Sequence, residues 1–205
     1  MFKEVISKKT QSNLEILKKA GLIAGFYLAG GTGAALHLGH RLSADADFFS
    51  RKKFDNQRLL QNVKESGKFS VVKEAENTLT GIFNGTKITF LAYDYPLLFP
   101  LKKIGHINLA DLRDIACMKI SAISSRGSKK DFIDLYFICQ QGISLKQALA
   151  LFEKKYQSAD YNMVHILKSL VFFDDADSDP MPKMLVPVAW KQVKNYFQEK
   201  IKAIQ

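Results

Sequence analysis

Two aspartates one residue apart, Asp45 and Asp47, follow a glycine pair, Gly30 and Gly31, in the stretch AGGTGAALHLGHRLSADADFF (29–49). Both pairs suit phosphate chemistry. Carboxylates this close repel each other unless a cation lies between them. Hard divalent cations such as Mg²⁺ take oxygen ligands and keep company with substrate phosphates. Glycines let a backbone approach a ligand, and free N–H groups at a helix start attract an anion. The apolar Phe48 and Phe49 follow the acids, which argues against a solvated acidic turn, since burying unpaired charge is costly. Taken alone, a Gly-Gly turn is an ordinary structural device.

A second set lies in KISAISSRGSKKDFIDLYFI (119–138). Lys119 and Arg126 share a helix face, with the small Ala122 between them. Lys130 and Asp134 are spaced to pair, and Asp131 and Asp134 are neighbours on the same helix, whose core side carries Leu135 and Ile138. Spacing alone fits two amphipathic helices with surface salt bridges. Other phosphate motifs are excluded. No Gly-x₄-Gly-Lys-Ser/Thr loop is present. GTGAAL (31–36) puts Leu36 where a dinucleotide fingerprint needs glycine, and no later series of β-α-β units follows.

These residues need elements to hold them. Residues 3–20 have helical apolar spacing and end at Gly21. GFYLA (25–29) reads as a strand, TGAALHLG (32–39) as a short helix, and DADFF (45–49) as a strand that puts Asp45 and Asp47 on one face. NQRLLQNVKES (56–66) is a helix. FSVVKEA (69–75), TLTGIF (78–83) and KITFLAY (87–93) are strands, the last two joined by the hairpin signal Asn84-Gly85. Pro96 and Pro100 interrupt. Helices follow at 108–126, with Asn108 as N-cap, and at 128–141, 144–156, 160–173 and 186–203, with 174–182 a loop. The expected class is α+β: a mixed sheet flanked by helices, then a helical region, divided as 1–105 and 106–205.

The chain has 205 residues, 47% of them apolar, enough for a sizeable core. No long uncharged apolar run predicts a membrane span. The charged first residues carry no apolar signal core, so a cytoplasmic protein is expected. Cys117 and Cys139 read as buried thiols. The net charge of +10 steers polyanions and is compatible with nucleic-acid binding without requiring it.

Together, YLAGGTGAALHLGHRLSADADFF and MKISAISSRGSKKDFIDLYFI resemble the nucleotidyltransferase AbiEii/AbiGii toxin family, within the polymerase-β-type nucleotidyltransferase superfamily. The resemblance implies metal-dependent transfer of a nucleoside monophosphate from an NTP to an acceptor, with release of pyrophosphate. It further implies a toxin of a toxin–antitoxin or phage-defence system, with a tRNA, other RNA or protein acceptor and a cognate antitoxin. Asp45 and Asp47 would bind Mg²⁺ and Gly30, Gly31 and Thr32 the triphosphate, while Lys119 would contact the triphosphate. Asp134, or Asp131, would complete the site, with Asp134 acting as base or holding Lys130. Arg41 and Arg126 are further phosphate candidates because guanidinium grips phosphate in a fork, and Lys130 and Asp131 join the expected nucleotide-binding set. A departure is the third carboxylate that the superfamily often supplies from a later strand. Here only Asp94, at the strand's end, is available, and it does not read as a metal ligand. The alternative is a catalytically degenerate fold that binds a nucleotide, RNA or partner.

Three further features read as structural. His37 and His40 lack a third ligand and read as packed or hydrogen-bonded histidines. DDADSD (174–179) has Pro180 where a calcium loop needs glycine. Phe172, Phe173 and Trp190 read as helical core.

Overall fold

The computed structural model describes residues 2–105 and 107–204. Its centre is a seven-stranded mixed sheet made of β1 (Tyr27–Leu28), β2 (Ala46–Ser50), β3 (Phe69–Ala75), β4 (Thr78–Phe83), β5 (Thr86–Ala92), β6 (Lys102–Ile104) and β7 (Ile107–Leu109), in the order β3-β4-β5-β2-β1-β7-β6. β2 runs parallel to β5 and antiparallel to β1. The α+β expectation therefore holds. Asn84 and Gly85 both have positive φ, the backbone that a two-residue turn between β4 and β5 requires. Asn13 ties this hairpin to the first helix by donating to Phe83 O (3.0 Å) and Thr86 Oγ1 (2.8 Å).

Side-chain alternation divides the core. α1 (Lys8–Lys19) and α3 (Asn56–Ser66) cover one sheet face, where Phe48, Leu79, Phe83, Ile88 and Phe90 are buried. The other face receives α4 (Leu112–Arg126), α5 (Lys129–Gln140), α6 (Leu145–Lys155), α7 (Met163–Ser169) and α9 (Trp190–Lys202), packed over Tyr27 and Ala29. α2 (Gly30–Leu38) leaves the end of β1 and touches α4, α5 and β2. A buried ion pair locks the second layer. Lys155 meets Asp114 at 2.8 Å, and Asp114 also accepts from the N–H groups of Leu98 and Phe99.

Several expectations are corrected. The first helix starts at Lys8, capped by Ser7, because residues 3–5 make a separate 3-10 turn. Asn108 lies in β7, and the N-cap of α4 is Asp111, which accepts from Arg113 N. Strands β6 and β7 are absent from the sequence reading; three residues each give no readable alternation. The C-terminal helices are shorter than expected, and 174–178 forms a short helix, α8. Phe172 is exposed and Trp190 half-buried, while Phe173 is core. Cys117 is buried and Cys139 half-buried, and both are free thiols. No helix among the described residues is long and apolar enough to cross a membrane.

Candidate active site

The glycine turn is the start of α2 itself, two residues earlier than expected. Gly33 N–H closes the first turn on Ala29 O, so the N–H groups before it have no partner within the helix. Each glycine of the pair has its own steric reason. Gly30 has φ +61°, and a Cβ there would sit 3.2 Å from Asp47 Oδ2. A Cβ at Gly31 would lie 2.5 Å from Arg41 Nη2. The glycines thus admit a carboxylate and a guanidinium in addition to exposing backbone N–H groups. The Thr32 side chain turns away from the cleft. It is 1% exposed, meets Ser43 Oγ at 2.7 Å and donates to the carbonyl oxygen of Asp45. Of Thr32 only the backbone remains for a phosphate; its hydroxyl braces the loop that leads into β2.

Asp45 enters β2 and Asp47 is its second residue. Burial pushes the Asp47 carboxyl above its ordinary range, and the charge of Asp45 pushes further. A hydrogen bond from Thr89 and the charges of Lys119 and Lys130 oppose this. Thr89 stands opposite Asp47 on the neighbouring strand. Asp94 lies beyond the end of β5 and is exposed.

Behind the two aspartates is a buried charge cluster. Asp134, 0% exposed, accepts from Arg41 Nε (2.7 Å), Arg41 Nη2 (2.9 Å) and His40 Nε2 (2.8 Å), and Lys119 Nζ contacts its second oxygen. Lys119, 3% exposed, also donates to Asp131 at 2.8 Å. Asp131 is gripped in turn by Arg126 through Nε (2.7 Å) and Nη2 (3.0 Å). Burial alone would raise both carboxyls, but the cations beside them win. Lys119 and Arg41, with donors from Arg41 and His40, hold Asp134 far below the usual carboxylate range. Lys119 and Arg126 lower Asp131. Lys119 is held protonated by the same two acids against its own desolvation.

This cluster corrects three expectations. Asp134 does not pair with Lys130, which is exposed. With four donors on its two oxygens, Asp134 has no lone pair left to act as a base. Arg41 is spent on Asp134 and on Leu42 O (3.0 Å), so it is not free for phosphate. The exposed cations facing the aspartates are Arg126, whose side chain is 58% exposed, and Lys130. Sequence reasoning missed the roles of Ser43 and Thr89, which carry no motif. It also missed the partnership of Arg41 with Asp134, 93 positions away.

Supports from distant segments set this geometry. The C-terminal segment pins the loop carrying Arg41: Leu185 and Val186 donate to His40 O, and Leu42 donates to Lys183 O. The first turn of α5 is capped by Asp179, which accepts from Ser128 Oγ and Lys129 N, both at 2.9 Å. His40 is hydrogen-bonded to Asp134, and His37 to Ala110 O at 2.8 Å, as structural histidines are. Among the described residues no group of three or more His, Cys, Asp or Glu side chains could hold a metal.

A mixed sheet with a glycine-opened helix beside an Asp-x-Asp strand is the arrangement of a nucleotidyltransferase. The chain belongs to the AbiEii nucleotidyl transferase toxin family of type IV toxin–antitoxin systems, whose model matches residues 92–203. Membership makes the protein a nucleotidyltransferase and implies a nucleotide substrate and an antitoxin partner. The matched span contains Lys119, Asp131 and Asp134; the glycine turn, Asp45 and Asp47 precede it. An uncharacterised protein of Aquifex aeolicus (strain VF5) is 36% identical over 202 residues, 96% of each chain. Two solved structures share the fold. JHP933 from Helicobacter pylori has a TM-score of 0.54 at 16% identity, covering 97% of this chain and 93% of that one. The antibiotic-resistance factor ANT(2'')-Ia has a TM-score of 0.54 at 13% identity, covering 74% and 94%.

Proposed function

We propose that the protein transfers a nucleoside monophosphate from an Mg²⁺-bound NTP to an RNA acceptor, as the toxin of a toxin–antitoxin or phage-defence system. The observation that carries this is the unsatisfied half of the site. Asp45 and Asp47 stand beside the open start of α2 with two exposed cations facing them. The donors fit a hard divalent cation: both are carboxylate oxygens, and the Asp47 carboxyl is destabilised by its neighbour in a way a cation would relieve. When bound, Mg²⁺ supplies charge neutralisation for the phosphates.

The chain's own groups do the rest. The N–H groups of Gly30, Gly31 and Thr32 receive phosphate oxygens, and Arg126 and Lys130 neutralise the departing pyrophosphate. Lys119, fixed by Asp131 and Asp134, adds a buried positive charge behind them. The acceptor hydroxyl loses its proton to solvent and its oxygen bonds the α-phosphorus as the bond from that phosphorus to the pyrophosphate oxygen breaks. Such transfers depend chiefly on positioning and electrostatics. Incubation with α-labelled NTPs, Mg²⁺ and total RNA should label RNA, and Asp45→Ala should abolish both the label and growth inhibition on expression. Absence of label with every NTP, together with unchanged growth for Asp45→Ala, rejects the reading.

Thr89 favours a second reading, because the residue opposite Asp47 on the neighbouring strand carries a hydroxyl and not a carboxylate. In that case the fold binds nucleotide without turnover. A thermal shift with NTP and Mg²⁺ but no label transfer would select it.

A further inference from the structure

On one side of the sheet next to the aspartates, no helix packs extensively over β3, β4 and β5; Lys73 and Lys87 are exposed there, while Thr80 between them is buried. On β3, β4 and β5 the face buried under α1 and α3 carries Leu79, Phe83, Ile88 and Phe90. The opposite face of these strands carries Ile82 and Leu91, and neither belongs to a core cluster. No helix from α4 onward makes an extensive contact with these three strands.

Strand register fixes what this face presents. Lys73 stands opposite Thr80, Thr80 opposite Thr89, and Thr89 opposite Asp47. Directly opposed residues point to the same side of a sheet, and Thr80 Oγ1 meets Thr89 Oγ1 at 3.4 Å. The result is a polar row across four strands that starts at Lys73, just past a bulge in β3, and ends at Asp47. Lys87, two residues before Thr89, shares the face. Both lysines are exposed. The acid next to Lys73 in the chain, Glu74, points the other way, where Asn56 (3.3 Å) and Gln57 (3.2 Å) of α3 hold it. At one strand spacing per step, Lys73 lies about 14 Å from Asp47 along the row. That is roughly two nucleotide steps along an extended single strand.

We propose that this open face is the acceptor track. It takes the phosphodiester backbone of a single-stranded RNA end, with Lys73 and Lys87 each on a phosphate and the Thr80–Thr89 row beneath. The proposal rests on the nucleotidyltransferase reading above and assigns the acceptor side of the same site. Asp45 and Asp47 then have a cationic flank on each side. Arg126 and Lys130 form the triphosphate side, and Lys73 and Lys87 the acceptor side. An anionic acceptor suits the second flank; a neutral or cationic protein segment would meet two uncompensated lysines.

The test is a binding measurement that needs no turnover. Fluorescence anisotropy of a 5'-labelled single-stranded RNA is followed from about 50 to about 200 mM salt, over which phosphate contacts weaken measurably. For Lys73→Ala/Lys87→Ala the slope of log affinity against log salt should fall by about 1.4, two contacts at about 0.7 each. The control pair Lys191→Ala/Lys200→Ala, on α9, should keep the wild-type slope. The thermal shift given by NTP with Mg²⁺ should be the same in all three proteins. Equal slopes in both double variants, or no salt-dependent RNA binding by the wild type, overturn the proposal. Failure of the nucleotidyltransferase reading looks different: no NTP shift and no label transfer, whatever the RNA slopes. Label appearing on protein while RNA is not bound would also overturn it.

Discussion

Asp134→Ala separates a positioning role from a chemical one. The side chain is fully buried and accepts from His40, from Arg41 twice and from Lys119. Removing it leaves the buried Arg41 facing no anion and Lys119 with Asp131 alone. Breaking a buried ion pair by deleting one partner costs about 3–5 kcal/mol. For a chain of this size each kcal/mol moves Tm by about 2–4 °C, so the melt should drop by about 6–20 °C. Because the folded-state carboxyl sits below its unfolded value, its contribution is complete above the unfolded pKa of about 3.9. The contribution disappears only as pH falls through the lower folded value. The gap between wild type and variant should therefore be constant from pH 6 to pH 8 and narrow only in strong acid, as calorimetry can follow. Asp134→Asn should recover little, since its amide N–H₂ would face Arg41 and Lys119. A variant that melts within a degree or two of wild type yet loses all label transfer would refute the positioning role and restore Asp134 as a chemical group.

Gly31→Ala should cost about 1–3 kcal/mol and most of the label transfer, because its Cβ would press on Arg41 Nη2, an atom held on Asp134. Gly33→Ala, whose one tight contact is the movable end of Ile115 at 3.1 Å, should cost less in the same melts. Asp47→Asn should raise Tm at pH 7 in EDTA while ending label transfer. The folded Asp47 carboxyl lies above its unfolded value, so ionising it costs stability as pH rises between the two; the gain should vanish below about pH 4. Lys155→Ala strips Asp114 and Pro96 O of their shared donor and should lower Tm by an amount similar to Asp134→Ala. Label transfer measured well below that melt should survive, since the pair lies outside the site.

Parts of the fold governed by neighbours in the chain were legible. The bounds of α3 match because Asp55 caps it locally, and β3 and β4 match because their periodicity is plain and Asn84-Gly85 turns the next hairpin. The three-residue strands β6 and β7 have no such signal; they exist because β7 pairs with β1. The site divides the same way. Gly30, Gly31, Asp45 and Asp47 fall within one short stretch, so their relation could be read from order and spacing. The partner of Asp134 could not. Spacing favoured Lys130, and an exposed i,i+4 pair is worth only about 0.3–0.5 kcal/mol. Once the apolar face of α5 is buried, Asp134 goes inside with it, and only partners already inside can satisfy it. Arg41 and Lys119 are those partners, and neither is marked by sequence spacing.

The charge balance of the site sets the order in which ligands can bind. Lys119, Arg41 and Arg126 outnumber Asp131 and Asp134 by one. Asp45 and Asp47, when ionised, reverse that sign. A triphosphate arriving alone would meet two carboxylates at the mouth of the helix that should bind it, and close like charges disfavour the ionised form. A divalent cation on Asp45 and Asp47 restores a positive site, with Lys130 adding to it. NTP in EDTA should then give no thermal shift, Mg²⁺ alone a small one, and the two together a shift larger than the sum. Asp45→Asn/Asp47→Asn, which removes both negative charges, should bind NTP in EDTA better than wild type does. If wild type shows the same NTP shift with and without the cation, the aspartates do not gate the phosphate site, and Arg126, Lys130 and the N–H groups of α2 bind the triphosphate unaided.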